Sequence, residues 1–230
     1  MSKVVIKTGM TVEQQIGQKY AAPGTLVLTG IYTADALESV VPHDCEAILS
    51  LGVCGGLAPA AQIGQAFIYD RIVTGLGNEQ TYLCNVGWRK RLFSATKYYE
   101  RGCWSDGSFN TANTPAQRAQ LYTQSNCWVI DDESNAVAIF AAKRGIACIG
   151  VRTVSDGTIS KLPPAILNAL NPNGTDNLWA VIQSLFAEPI DPATGGWQID
   201  ELMAVAANAK RSYDELETAC IQMGPNFQWQ

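Results

Sequence analysis

The sequence predicts an α/β fold, a single domain over residues 1–230 with a central mixed, largely parallel twisted sheet flanked by helices. Three observations carry that expectation. Short β-rich runs recur at Val4–Thr8, Leu26–Thr29, Ala47–Leu51, Phe67–Val73, Trp128–Ile130 and Cys148–Val154. Helical segments fall between some of them, and strands alternating with helices build a parallel sheet because a parallel pair needs a crossover. With 230 residues, 47% apolar and 16% charged, the chain can bury one sizeable core and is too apolar for disorder.

The clearest helix runs from about Asp132 to Arg144. Acidic residues open it, Lys143 and Arg144 complement its last turn, and Gly145 supplies the C-cap. After Asp156 the character changes. Leu162-Pro163-Pro164 and Asn171-Pro172-Asn173-Gly174 are turn signals, and Thr175 or Asp176 caps a helix toward Phe186. Residues 187–198 read as a loop rich in Pro and Gly. A final helix over 199–222 sets Leu202, Met203, Ala206, Ala209, Tyr213, Leu216 and Cys220 on one face, and Gly224-Pro225 stops it.

Composition excludes several classes. Net charge is −5 and no basic cluster exceeds Arg89-Lys90-Arg91, which argues against a nucleic-acid partner held through its phosphates. Seven cysteines, an odd number with no CxxC pair, stand beside one histidine, so reduced thiols in a cytoplasm are expected rather than a metal site or a disulfide framework. The start, Met-Ser-Lys-Val-Val-Ile-Lys, is charged too early for a signal peptide. Ala47 to Tyr69 carries no charge and is long enough on paper to cross a bilayer. Its Gly52, Gly55, Gly56, Pro59 and Gly64 instead predict strand, tight loop, strand.

Three segments place a carboxylate or bare backbone beside a strand end, where ligands bind in α/β sheets. In Val4–Glu13 a strand runs into Gly9, and Glu13 follows at a helix start, as a general base or as a residue that only complements the helix dipole. In Ala47–Pro59 a buried strand opens into Gly52-Val53-Cys54-Gly55-Gly56, which lets backbone approach a ligand closely or simply makes a turn. It is neither GxGxxG nor a P-loop, so no dinucleotide or nucleoside triphosphate is expected. The third segment joins Asp131-Asp132-Glu133 at a helix start to Val151–Asp156, a strand ending on a carboxylate. Dipole complementation and a turn residue are the bland readings there.

In this order and spacing the segments resemble the nucleoside phosphorylase and nucleosidase superfamily, and among its branches the methylthioadenosine/S-adenosylhomocysteine nucleosidases. The resemblance covers roughly residues 1–160. Gly52–Pro59 matches the Gly-x-x-Gly-Gly-Leu-Ala-Pro loop, Asp131-Asp132-Glu133 the acidic-Met-Glu helix start, and Arg152–Asp156 the Arg-x-x-Ser-Asp strand end. Gln65 stands where the family has an acid, and Asp132 where it has methionine. Leu162–Ala165, Asn171–Asp176 and the helical tail are similar to the hopanoid-associated phosphorylase subgroup.

The resemblance implies cleavage of a purine–ribose bond through an oxocarbenium-like cation, with no cofactor and no metal. Asp156 would be the general acid at the purine N7 and Glu13 would activate water. Glu133, with Asp132, would hold ribose hydroxyls. Phe109 and Ser155 would meet the purine. No arginine precedes Arg71, and only Lys3, Lys7 and Lys19 are available earlier; a phosphate dianion without a guanidinium clamp is poorly held. With Val53 where many relatives carry a hydroxyl, water is expected over phosphate. Phosphorolysis is the alternative, and a nucleoside-binding relative without turnover is the second. The resemblance also implies a homodimer acting on a small-molecule purine nucleoside. Six tryptophans and the apolar final helix would suit a lipid-linked substrate such as adenosylhopane at a membrane surface, although such residues are more often core.

Overall fold

The computed structural model describes residues 3–75, 78–107, 112–158, 175, 177–187, 189–190 and 195–229. In chain order the elements are β1 (Val4–Thr8), α1 (Thr11–Tyr20), β2 (Leu26–Thr29), α2 (Ala34–Val40), β3 (Ala47–Gly56), β4 (Ala66–Thr74) and β5 (Gln80–Leu83). Then follow α3 (Val86–Thr96), β6 (Tyr99–Trp104), α4 (Pro115–Ser125), β7 (Val129–Ile130), α5 (Ser134–Arg144), β8 (Ala147–Asp156), α6 (Leu178–Ala187) and α7 (Gln198–Met223). The expected single α/β domain with a mixed sheet between helices is what forms.

β2, β1, β3 and β8 run parallel and side by side. β8 also pairs antiparallel with β4, β4 parallel with β6, β6 parallel with β7, and β7 antiparallel with β3. Those five strands, β3-β8-β4-β6-β7, therefore return to β3 and close a ring, from which β1 and β2 extend on one side and β5 on another. Apolar side chains cover both faces. Val4, Ile6, Leu49, Ile149 and Val151 meet Leu216, Cys220 and Met223 of α7, while Val5, Ile48 and Cys148 meet Leu37 of α2 and Val137, Phe140 and Ala141 of α5.

Three corrections to the sequence reading follow. β3 does not open into a turn at Gly52 but stays extended through Gly56, paired with β8 from Ala47 to Gly55. Helix α5 begins at Ser134, because Asp131 turns back to accept the Ser134 amide (2.8 Å) and the acidic residues precede the helix. The final helix is Gln198–Met223, and its apolar face is covered only in its second half: Leu216 and Cys220 are buried, whereas Met203 is 67% exposed. All seven cysteines are free and buried.

The unexpected α4 has local reasons to form. Thr114 and Gln117 make a reciprocal capping box, and Pro115 occupies the first helical position. Among the described residues no helix is long and apolar enough to cross a membrane.

Candidate active site

Register assembles the site. β1 and β3 align Lys7 with Ser50, and β3 and β8 align Gly52 with Arg152 and Gly55 with Asp156. The carboxyl ends of these parallel strands therefore lie together. The β3/β8 register slips between Cys54 and Gly55, so that Ser155 is the extra residue and Asp156 is re-aimed opposite Gly55.

Glu13, in the first turn of α1, is fully buried. Its Oε2 accepts the amides of Gly9 (2.7 Å) and Met10 (2.9 Å), and its Oε1 accepts the Val53 amide (2.7 Å). The bland reading is thus half true: Glu13 caps its helix, and it also bridges from α1 to β3. Burial pushes its pKa up, Glu133 adds to the rise, and Arg152 with the Val53 and Met10 amides pulls the other way. The glycines exist to make this room. A Cβ on Gly52 would run into the Glu13 carboxylate, and one on Gly9 would strike Glu133 while standing 3.4 Å from Glu13 Oε2. Glu13 and Glu133 therefore face the same spot. Gly52→Ala is expected to displace Glu13 and lower turnover while leaving the chain folded, read by steady-state kinetics beside circular dichroism.

Glu133 is held by Arg152, whose Nη1 lies 2.9 Å from Oε2 and donates to the Val53 carbonyl at 2.8 Å. Arg152 is 1% exposed, and carboxylates around it, Asp131 first, hold its pKa well above the ordinary value against the cost of burial. Asp132 is partly buried beside it. Burial, and then the carboxylates of Glu133, Asp131 and Asp106, push its pKa up to about 8. An acid whose pKa is higher folded than unfolded loses stability as pH climbs from about 4 toward 8, because the folded chain holds the proton that the unfolded chain releases. Asp132→Asn is expected to melt higher than the parent at pH 8–9 with no such gain near pH 4, and equal melting at both pH values would count against the crowding.

Asp156 is clamped. Arg118 of α4 pairs with Oδ2 through Nη2, and Ser155 Oγ donates to Oδ1 at 2.8 Å. Arg118, 2% exposed, also donates to the carbonyls of Ala112 (2.8 Å), Gly56 (3.2 Å), Asp156 (3.2 Å) and Gly157 (3.0 Å). It staples together the segments following β3 and β8 and the one leading into α4. Gly55 makes space here too, since its Cβ would lie 3.1 Å from Asp156 Oδ2. Cys54, between these glycines, is buried with its thiol pKa pushed well up by burial, which suits a packing residue rather than a nucleophile.

Residues 26–164 match the phosphorylase superfamily. The chain belongs to that superfamily. As a member of the phosphorylase superfamily it is an enzyme of N-glycosyl bond cleavage. Its fold is similar to that of futalosine hydrolase from Helicobacter pylori, at TM-score 0.66 and 11% identity over 96% of each chain. It is also similar to the 5′-methylthioadenosine/S-adenosylhomocysteine nucleosidase of the same organism, at TM-score 0.61 and 12% identity over 95% of this chain and 97% of that one. The S-adenosylhomocysteine nucleosidase of Streptococcus pyogenes, in complex with 5-methylthiotubericidin, gives 0.59 and 15% over 94% of each. Among curated proteins none matches this sequence.

Of the residues singled out from the sequence of this superfamily member, Glu13, Glu133, Asp132, Asp156, Ser155 and Gly52–Gly56 gather at one end of the sheet. Phe109 lies outside the described residues. Sequence reasoning assigned no role to Arg118, Asp131 or Arg152. Arg152 opened the Arg-x-x-Ser-Asp match without a role of its own, and one could have been sought, since a charge inside an apolar strand demands partners. Among the described residues no cluster of His, Cys, Asp and Glu that could hold a metal ion occurs.

Proposed function

We propose that this chain hydrolyses the N-glycosidic bond of an adenosine-type nucleoside, with water as the nucleophile. The observation that carries the reading is Glu13, a buried carboxylate whose pKa burial raises, facing Glu133 across the space that Gly9 leaves open. That pair suits the anomeric end of a ribose: Glu133 accepts from its hydroxyls while Glu13 takes the proton of an attacking water. Asp156, opposite Gly55, lies two residues further along β3 than Val53, roughly 7 Å at the rise of a strand. The purine occupies that end, where Asp156 donates a proton to N7 as the bond breaks. Both its oxygens accept here, from Ser155 and Arg118, so Asp156 must first take up a proton from solvent at Oδ1, where the purine displaces the Ser155 hydroxyl, and then pass it to N7.

The cations support water over phosphate. Lys3 pairs with Glu46 and Lys19 with Glu217, both at the surface. Buried Lys7 gives its ammonium to the carbonyls of Thr8 (2.5 Å) and Gly30 (2.6 Å), and burial pulls its pKa down to about 8. Arg71 pairs with Asp70 and donates to Asn126. None of these resembles a clamp for a dianion.

The finer reading is a lipid-linked substrate such as adenosylhopane, cleaved by a cytoplasmic homodimer. The exposed Trp197, Ile199 and Met203 at the start of α7, with Ile190 bridged to Trp197 ahead of it, would suit an apolar 5′ substituent. Adenine release from adenosine, 5′-methylthioadenosine and 5′-alkylated analogues, with and without phosphate, tests the proposal. The free sugar, ribose from adenosine and the 5-substituted ribose from the other substrates, and a rate indifferent to phosphate are expected. Ribose 1-phosphate as the main product would establish phosphorolysis, and binding without release a non-catalytic relative.

A further inference from the structure

We propose that Asp131 is a positioning residue which, through Arg152, sets where the Glu133 carboxylate stands. The proposal rests on the reading of Glu133 as the ribose-holding carboxylate.

Asp131 cannot itself reach a ligand, because its side chain is 1% exposed and its oxygens are occupied. Oδ1 accepts Ser105 Oγ at 2.9 Å and the Ser134 amide at 2.8 Å, and Oδ2 accepts Tyr69 Oη at 2.9 Å and Ser134 Oγ at 2.6 Å. Those donors come from β4, from the segment after β6 and from the first turn of α5, so the carboxylate is fixed from three directions. Arg152 Nε stands 3.1 Å from Oδ2. Burial would raise the Asp131 pKa, but Arg152 and the Ser134 hydroxyl and amide outweigh it and keep the group ionised.

The contacts close a ring. Arg152 Nη2 donates to Ser50 Oγ at 3.0 Å, Ser50 Oγ lies 2.8 Å from Ser134 Oγ, and Ser134 Oγ donates to Asp131. Since Ser134 spends its proton on Asp131, Ser50 must donate to Ser134; donation therefore runs one way from Arg152 through Ser50 and Ser134 to Asp131, and the Arg152–Asp131 ion pair closes the ring. The Ser50 hydrogen bond fixes Nη2, and the Asp131 ion pair holds the Nε side of the planar guanidinium, which leaves Nη1 one direction in which to point. There it meets Glu133 Oε2 and the Val53 carbonyl. Glu133, with a side chain 14% exposed, is the member that can touch a ligand. Asp131 thereby acts on the reaction through two rigid contacts, and its loss is felt as misplacement of Glu133.

The test is a double-mutant cycle on adenine release from 5′-methylthioadenosine, joined to thermal stabilisation by 5′-methylthioadenosine and by free adenine. Asp131→Asn is expected to lower kcat by about 10²-fold, the effect of misplacing a group by an ångström. In the Glu133→Gln background it should cause little further fall. It should weaken stabilisation by the nucleoside and spare that by adenine, a split that general loosening would not produce. Ser50→Ala, which opens the ring without removing a charge, should repeat the pattern more weakly and serves if Asp131→Asn does not fold. Equal falls in both backgrounds would overturn the proposal, because additivity means that the residues act independently. A Glu133→Gln enzyme at the parental rate would instead overturn the reading of Glu133, and a parent that neither cleaves nor is stabilised by either compound would sink both.

Discussion

Glu13→Gln is expected to cut adenine release by about 10²–10⁴-fold, the usual worth of general acid–base catalysis. The carboxylate that would take the proton from water becomes an amide that cannot. The structure adds a second effect. Three backbone amides converge on the two Glu13 oxygens, those of Gly9, Met10 and Val53. Glutamine presents one oxygen and one NH2, so at least one of these amides faces a donor and is left unpaired, at a cost of about 1–3 kcal/mol. Activity and melting temperature should therefore fall together. A variant that melts lower yet turns over at the parental rate would reduce Glu13 to a helix cap, and the nucleophile would have to be sought elsewhere.

Asp156→Asn should lower turnover by a similar factor, about 10²–10⁴-fold, because the substitution keeps shape but removes the proton to be delivered to N7. It also strips a buried arginine of its counter-charge. Breaking a fully buried pair costs about 3–5 kcal/mol. Here the Asp156 side chain is 14% exposed and Arg118 retains carbonyls of Ala112, Gly56, Asp156 and Gly157, which places the loss toward the lower end. Kinetics and chemical denaturation on the same preparation separate the two effects. Parental kcat in a destabilised Asp156→Asn protein would show that the residue serves only to seat Arg118.

Much of this was legible in the sequence for one reason, that buried strands are written as apolar runs. Val4–Thr8 and Leu26–Thr29 were bounded to the residue. β5 and β6 were not, since Gln80–Leu83 is an exposed edge strand, and Tyr99–Trp104 opens with an exposed Tyr and a Glu-Arg pair. The glycines at 52, 55 and 56 drew attention for a sound reason and the wrong geometry. They are extended strand residues whose missing side chains make room for Glu13 and Asp156. The carboxylates of the site were readable because each follows a strand end. Arg118 was not, because its five partners lie far from it in the chain or in backbone carbonyls, which leave no pattern in a sequence.

The closed circuit of strands has a consequence for motion. β3 and β8, on which Val53, Gly55, Arg152 and Asp156 are mounted, have hydrogen-bonded neighbours on both sides, and neither ends at a free edge. Where both ladders are present, at Ala47–Ser50 and Gly55 of β3 and Val151–Thr153 of β8, opening a strand means breaking two at once, so those amides should exchange with solvent only when the whole domain comes apart. The walls of the cleft are then as durable as the protein itself. Whatever must yield to admit a nucleoside lies in the segments hung from the strand ends, and a ligand's arrival would be recorded there, in the deuterium uptake around Gly9–Met10 and Gly30–Thr33, long before it was felt in the sheet.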